Sequence, residues 1–246
     1  MAINYADLLD TFESKESTLI NSFEDFLIQR SKKKTPIILR ELDCWQGRAD
    51  VVAAFLSPHW MLPEGAEEIL SRLGPAQVLS VLYQKKRQKL NTIVMLSGLS
   101  ETTVRRHLKE LIEGGLIQQH AQDTFTIHPF VNIPRITFHA YEAKLHNWKR
   151  ALYQAINYLG FAQYSSVVMP ERYIKPALEN LEHFRINGIG LVSVSNKNYT
   201  VILKPRKNRP RKKAFHLVGI GKTIIGVNLS NICYGSKDPY CRLPSV

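Results

Sequence analysis

Four charged residues stand at or beside apolar, strand-like runs, where an unpaired charge would be costly. They are Glu41, Asp50, Glu142 and Lys144. Hydrolysis of a phosphodiester bond needs a metal ion at the phosphate, because the metal lowers the pKa of its bound water and neutralises developing charge. Mg²⁺ prefers oxygen ligands and keeps several waters, so two carboxylates and a backbone carbonyl suffice. We therefore expect Asp50 and Glu142, with the backbone of Ala143, to bind Mg²⁺ or Mn²⁺.

The spacing of these residues suggests a role for each of them. Side chains alternate along a strand, so Glu142 and Lys144 should point the same way. Lys144 would place a compact positive charge near the same phosphate or water. Asp50 would add the second carboxylate from a neighbouring strand, and Glu41 could hold a metal-bound water. The structural alternative is a buried ion pair between Asp50 and Lys144.

The chain around these residues predicts an α/β fold. A helix over residues 4–30 is followed by strands over 37–42 and 49–56, which a turn at Gln46 and Gly47 would join as a hairpin. The strand over 136–144 is followed by a helix, a strand, a helix and a further strand at 190–194. That alternation is typical of a mixed sheet with packed helices.

The chain between the hairpin and the Glu142 strand has helical periodicity instead. Ser100 is a good N-cap for a helix over Glu101–Glu113, which ends at a glycine pair, and two short strands follow. Helices followed by a hairpin predict a winged helix-turn-helix. The polar side of its second helix would face DNA, and a winged helix used for protein contacts is the alternative. The DNA-facing residues are expected to be Thr102, Thr103, Arg105, Arg106 and Lys109.

These motifs resemble the PD-(D/E)xK nuclease superfamily, which has the restriction-endonuclease-like fold. The matching residues are Glu41, residues 47–52 (GRADVV) and residues 140–145 (AYEAKL). The resemblance implies Mg²⁺-dependent DNA cleavage, with Asp50 and Glu142 as ligands and Lys144 as the catalytic cation. It departs from the family pattern at Ala49, which stands where the superfamily's name has proline.

The predicted helices add further resemblances. Residues 148–158 are similar to the helix after the E-x-K strand in RecB-like members, where a Gln and a Tyr four residues apart face the site; here these are Gln154 and Tyr158. The glutamate that the family carries on an early helix matches Glu13, Glu16 or Glu24 equally well. Residues 99–117 resemble the recognition helix and wing entry of bacterial winged-helix regulators.

Charge and composition indicate the class of partner and the cellular location to expect. The 246 residues carry a formal net charge of +12, which favours a polyanionic partner such as DNA. Seven Lys or Arg and no acid fall within residues 204–213, which is expected to be a linker, and Gly219–Thr223 is expected to be a turn between strands. Three cysteines exclude a disulfide scaffold, and no apolar run approaches a membrane span. We therefore expect a cytoplasmic chain with no membrane partner.

The sequence thus predicts a restriction-endonuclease-like mixed sheet interrupted by a winged helix. The expected core is residues 1–57 and 131–205, the inserted domain residues 58–130, and the basic linker and tail residues 206–246. The expected function is that of a DNA-binding, metal-dependent endonuclease in mobile-element, defence or repair biology, acting as a homodimer or in a larger nucleoprotein complex. The alternative is a non-catalytic DNA-binding regulator or complex subunit on the same scaffold.

Overall fold

The computed structural model describes residues 15–30, 35–45, 47–83, 87–195 and 199–234. Within them the chain is a mixed α/β protein with a six-stranded sheet and a separate three-stranded sheet. In chain order the elements are α1 (Glu16–Arg30), β1 (Ile37–Asp43), β2 (Arg48–Leu56), α2 (Ala66–Leu70), α3 (Leu73–Leu82), β3 (Gln88–Lys89), α4 (Leu90–Ser97), α5 (Glu101–Glu113), β4 (Ile117–His120), β5 (Thr124–Ile127), β6 (Ile136–Ala143), α6 (Trp148–Tyr158), β7 (Tyr164–Pro170), a 3-10 turn (Glu171–Tyr173), α7 (Lys175–Leu178), α8 (Leu181–Asn187), β8 (Gly190–Val194), β9 (Tyr199–Leu203) and α9 (Lys213–Tyr234).

The six-stranded sheet has the order β1-β2-β6-β7-β8-β9. The predicted hairpin is confirmed, because β1 and β2 pair antiparallel. Strand β2 also pairs antiparallel with β6, with Val51 opposite Tyr141 and Leu56 opposite Ile136. Strands β6, β7 and β8 are parallel, and β9 closes the far edge antiparallel to β8. The two strands expected to carry Asp50 and Glu142 are therefore neighbours, although the middle of the chain separates them.

The middle segment, residues 57–135, leaves the sheet and returns to the same place. The amide of Ser57 donates to the carbonyl of Arg135 at 3.0 Å, directly after the Leu56–Ile136 strand pair. Between these points, helices α3, α4 and α5 pack beside the small sheet, whose order is β3-β5-β4. The predicted helix over Glu101–Glu113 is confirmed, and the Ser100 hydroxyl accepts from the Thr103 amide at its start.

Three groups of helices cover the large sheet. Helix α1 lays Leu19 and Phe23 on one side, against Ala143 and Val168. Helices α6 to α8 pack with β7 and β8 around a second cluster that includes Phe184. The third cluster joins β1, β2 and β6 to α2 through α5, and α9 lies within it.

Helix α9 corrects the prediction for the end of the chain. Gly219–Thr223 is not a turn between strands but lies inside this helix, and the segment expected to be a tail therefore contains a packed element. The glycines that suggested a turn allow close packing instead. A Cβ at Gly221 would lie 2.5 Å from the backbone nitrogen of Ser71 and 2.6 Å from the carbonyl oxygen of Glu67, so only glycine lets α9 approach α2 this closely. Among the described helices, none is long and apolar enough to cross a membrane.

Candidate active site

Asp50 and Glu142 lie side by side at one end of the β2–β6 pair. The register places Val51 opposite Tyr141, so the next pair toward the hairpin turn is Asp50 and Glu142. Paired residues of an antiparallel ladder project to the same face. The Asp50 Oδ2 atom accepts a hydrogen bond of 2.8 Å from the backbone amide of Ala143, which ties its carboxylate to the end of β6. Each of the two strands thus places one carboxylate at the same end of the sheet.

Lys144 follows immediately after β6 and turns toward the same carboxylates. Its amide donates to the carbonyl of Val168 at 3.0 Å, which continues the pairing with β7 for one residue. Its Nζ atom lies 3.4 Å from Glu142 Oε1 and 3.0 Å from Glu16 Oε2. The structural alternative, a buried ion pair between Asp50 and Lys144, does not form among the described residues. Lys144 pairs with Glu142 and Glu16 instead, and the Asp50 carboxylate accepts from a backbone amide.

Of the two helix-borne glutamates that the structure describes, Glu16 is the one that reaches the cluster. It stands in the first turn of α1 and reaches Lys144, whereas Glu24 lies near the middle of the helix and forms an ion pair with Arg40. Glu13 lies outside the described residues. Sequence reasoning did not assign Glu16, because helical spacing alone does not reveal which turn of α1 lies over the end of β6. The one useful signal was the Leu19 and Phe23 pair, which marks the buried side of the helix.

Tyr158 completes the surroundings of Glu142. Its hydroxyl lies 2.5 Å from Glu142 Oε2 and 2.9 Å from the carbonyl oxygen of Arg48. A phenol has one proton, so it can donate to only one of these two acceptors at a time. If Glu142 carries a proton, its carboxyl donates to Tyr158 and Tyr158 donates to Arg48. In that state the Tyr158 hydroxyl forms hydrogen bonds with both Glu142 Oε2 and Arg48, while Glu142 Oε1 is left without one.

Burial and the Asp50 charge both raise the pKa of the Glu142 carboxyl. Its side chain is only 1% exposed, and loss of hydration raises the pKa of the Glu142 carboxyl to about 7. The nearby Asp50 charge contributes to this rise in the pKa, while the Tyr158 hydrogen bond and the Lys144 charge oppose it. The Oε1 atom of Glu142 is buried and has no hydrogen-bond partner among the described residues, with only the Lys144 ammonium nearby.

Asp50 and Lys144 are perturbed by the same cluster. Burial raises the pKa of Asp50, against the Ala143 hydrogen bond and the Lys144 charge, and the charges of Glu16 and Glu41 add to the rise. For Lys144, burial opposes the charged form, but the carboxylates of Glu16, Glu142 and Asp50 outweigh it and raise the pKa of the ammonium. Lys144 is therefore a cation at neutral pH, beside two carboxyls, Asp50 and Glu142, whose pKa values are raised.

Glu41 and Gln154 lie at the rim of this cluster. Glu41 has a positive φ of 50° in β1 and is exposed, with Arg48 at 3.5 Å. Gln154 lines a cleft of about 400 Å³ between α6 and the hairpin turn. Its Oε1 atom is buried without a hydrogen-bond partner in the described part of the chain. The other residues that line the cleft are Trp45, Gly47, Tyr153, Asn157 and Tyr158.

The donor set suits a hard divalent cation, though it does not form a complete cage. Within the described ranges, no three His, Cys, Asp or Glu side chains converge closely enough to hold a metal ion by themselves. Asp50 and Glu142 supply oxygen donors, and Glu142 Oε1 is a buried acceptor without a hydrogen bond. The pKa of each of these two carboxyls is raised by burial and further by a neighbouring acid. A divalent cation would relieve that repulsion, and Mg²⁺ commonly completes its shell with water and phosphate oxygens.

Helix α5 carries its predicted DNA-facing residues on an exposed but partly self-paired surface. Arg105 contacts Glu101 at 2.8 Å and Asp123, in the β4–β5 turn, at 3.6 Å. Lys109 lies 3.8 Å from Glu113, and the Thr103 hydroxyl bonds the Ser100 side chain. Thr102 and Arg106 are exposed, and across the described residues Arg106 makes no ion pair. Arg106 is thus the basic residue of this surface that a ligand can engage without breaking an ion pair.

Comparison of this chain with protein-family models, with curated proteins and with solved structures gives no significant match.

Proposed function

We propose that this chain is a metal-dependent deoxyribonuclease of the PD-(D/E)xK type. The observation that carries the proposal is the convergence of Asp50, Glu142 and Lys144 at one end of neighbouring strands, with Glu16 brought in by α1. A buried carboxylate, a half-buried carboxylate and a half-buried ammonium are expensive to assemble. Such clusters of perturbed titratable groups beside a cleft are typical of active sites.

In this proposal Asp50 and Glu142 hold Mg²⁺ or Mn²⁺, and the bound metal supplies an activated water and neutralises charge on the phosphate. Lys144 remains protonated because its pKa is raised, so it donates hydrogen bonds and positive charge and does not take a proton. Glu16 holds the Lys144 ammonium at the site. Tyr158 orients the Glu142 carboxylate, since its hydroxyl is within hydrogen-bonding distance of Oε2.

The proposal also includes a fold assignment for the middle segment and for the large sheet. The order helix, strand, helix, helix, strand, strand over α3, β3, α4, α5, β4 and β5 is the element order of a winged helix-turn-helix. We infer that this unit is inserted into a restriction-endonuclease-like core and contacts DNA through α5, with Arg106 and Thr102 available for the groove. The inserted unit would select the DNA, and the carboxylate cluster would cut it.

One observation favours the second candidate, a non-catalytic DNA-binding scaffold. Lys144 is already paired with Glu16 and Glu142, so the charges of the cluster partly satisfy one another. A structural ion network of that kind needs neither a metal nor a phosphate.

The experiment that separates the two candidates is cleavage of supercoiled plasmid by the purified chain, in Mg²⁺ or Mn²⁺ and in EDTA. We expect nicking or linearisation with either metal and none in EDTA. Lys144→Ala should reduce cleavage by on the order of 10²-fold or more, the size typical of losing a charge that stabilises the transition state. Lys149→Ala, which removes an exposed lysine from the start of α6, is the matched control and should cut normally. If wild-type protein shows no more metal-dependent cleavage than Lys144→Ala, the result would favour the non-catalytic scaffold.

A further inference from the structure

The positive charge of this chain is concentrated away from the proposed DNA-reading helix. The middle segment, residues 57–135, contains nine Lys or Arg and seven Asp or Glu, so it is nearly neutral. Residues 204–213, which we call the basic strap, contain seven Lys or Arg and no acid. The electrostatic attraction that a formal charge of +12 implies must therefore come largely from the strap.

The strap is held in place along its backbone. The amide of Arg206 donates to the carbonyl of Gly188 at 3.0 Å, and that of Asn208 to Gln163 at 2.9 Å. The amides of Arg211 and Lys212 donate to the carbonyls at 159 and 160, at 3.0 and 2.9 Å. These bonds fix the strap across the ends of α6 and α8. The segment predicted as a linker is thus an ordered part of the surface.

The side chains of the strap face outward. All seven cations, at positions 204, 206, 207, 209, 211, 212 and 213, are exposed. Across the part of the chain that the structure describes, none of them forms an ion pair with a carboxylate. The last three stand at the start of α9, where the helix dipole already favours anions and makes cations unfavourable. Seven unneutralised positive charges on a fixed backbone therefore lower the stability of the folded protein.

The strap lies near the junction between the sheet and the middle segment, at the end of β6 opposite the carboxylate cluster. Gly188 and Gln163 precede β8 and β7, so the strap crosses the amino ends of the parallel strands. The middle segment leaves and rejoins the sheet at that same end. The carboxylate cluster lies at the other end of β6, where Glu142 is roughly 20 Å from Ile136 for six residue steps of about 3.3 Å. One turn of duplex DNA, about 34 Å long, can span that distance.

We propose that the basic strap binds the phosphate backbone of duplex DNA and supplies most of the salt-dependent affinity of this chain. This inference rests on the proposed function for its choice of DNA. A row of cations on backbone that is neither helix nor strand, as residues 204–212 are, suits phosphates, which position a protein, and leaves sequence selection in the major groove to α5. A membrane surface fits less well, because residues 204–213 contain no large apolar side chain to enter a bilayer.

Two variants that each remove two arginines and one lysine test the proposal. The strap variant is Arg209→Gln, Arg211→Gln and Lys212→Gln, and the α5 variant is Arg105→Gln, Arg106→Gln and Lys109→Gln. Binding to a labelled 25-base-pair duplex is measured in EDTA over a series of salt concentrations. The slope of log K against log salt should fall by about 0.9 for every phosphate that a variant no longer neutralises. We expect the slope for the strap variant to fall by about 2 to 3 and its affinity by at least tenfold, and the slope for the α5 variant to fall by less than half as much.

Thermal unfolding of both variants verifies folding, and Lys204→Gln, Lys207→Gln and Lys213→Gln provide a second strap variant if the first is unstable. Wild-type affinity and slope in a folded strap variant would overturn the proposal. Preferential loss of binding to phosphatidylserine vesicles, with DNA binding intact, would overturn it in favour of a membrane surface. Because these assays contain EDTA, failure of the nuclease proposal would appear as absent cleavage in Mg²⁺ and would leave the binding result unchanged.

Discussion

Glu16 Oε2 lies 3.0 Å from Lys144 Nζ, although the two residues are 128 positions apart in the chain. This ion pair brings α1 into the cluster formed by β2 and β6. It also gives Lys144 a second carboxylate besides Glu142, which helps to hold the ammonium beside the two candidate ligands. The early helix is therefore part of the proposed site as well as a cover for the sheet.

Replacing Glu16 should impair the site without unfolding the protein. Glu16→Gln keeps the size of the side chain but removes the charge that fixes Lys144. We expect plasmid cleavage to fall on the order of 10- to 100-fold, as is usual when a residue that orients a metal-site group is removed. Glu24→Gln is the control on the same helix, because it removes the carboxylate that pairs with Arg40. Equal activities in the two variants would show that the Glu16–Lys144 ion pair is merely structural.

The raised pKa of Glu142 predicts how stability depends on pH in the metal-free protein. Between the unfolded value near 4.3 and the folded value of about 7, the folded state binds more protons than the unfolded state. Stability must then fall as pH rises through this range. Glu142→Gln removes the cost of the buried charge, so it should stabilise the protein above pH 7 by on the order of 1 to 3 kcal/mol and have little effect at pH 4.5.

Urea unfolding at pH 4.5, 6 and 8 in EDTA measures this difference. The exposed Glu179→Gln variant should shift stability by less than about 0.5 kcal/mol at each pH. A Glu142→Gln variant that is less stable than wild type at pH 8 would mean that the carboxylate is favourably solvated or paired in the folded state.

The sequence was sufficient to predict the strands that carry Asp50 and Glu142. It was not sufficient to predict which helices pack over these strands. Asp50 and Glu142 lie in apolar runs of strand length, residues 49–56 and 136–144, and the predicted hairpin fixes the pairing of the first run. Which turn of α1 faces Lys144 depends on how the helix crosses the sheet, which no local pattern encodes. Helix α9 was missed for a different reason. Gly219, Gly221 and Gly226 lower helix propensity, and their use in close packing appears only once α2 is beside them.

Two glycines of α9 test whether the middle segment and the sheet share one core. Gly221→Ala would place a Cβ against the α2 backbone, which cannot yield as a side chain can. We expect a loss of about 1 to 3 kcal/mol in the free energy of unfolding, in keeping with overpacked sites. Gly226→Ala is the matched control, because its new Cβ meets only the Leu39 side-chain end at 3.3 Å.

The gain in helix propensity at Gly226 is worth up to about 1 kcal/mol, so the control should be neutral or slightly stabilising. Denaturant unfolding followed by circular dichroism compares the two variants. If Gly221→Ala is as stable as Gly226→Ala, α9 does not hold α2 against the sheet, and the middle segment is more independent than its packing indicates.

The central claim is that Asp50 and Glu142 share one divalent cation, and Mn²⁺ binding measured by calorimetry without DNA tests it most directly. We predict that wild-type protein binds Mn²⁺ and that Asp50→Asn weakens this binding at least tenfold. Asp25→Asn, which removes an exposed carboxylate of α1, should bind as wild type does. Equal Mn²⁺ affinity in wild type and Asp50→Asn, or no binding at millimolar Mn²⁺, would contradict the shared-cation site.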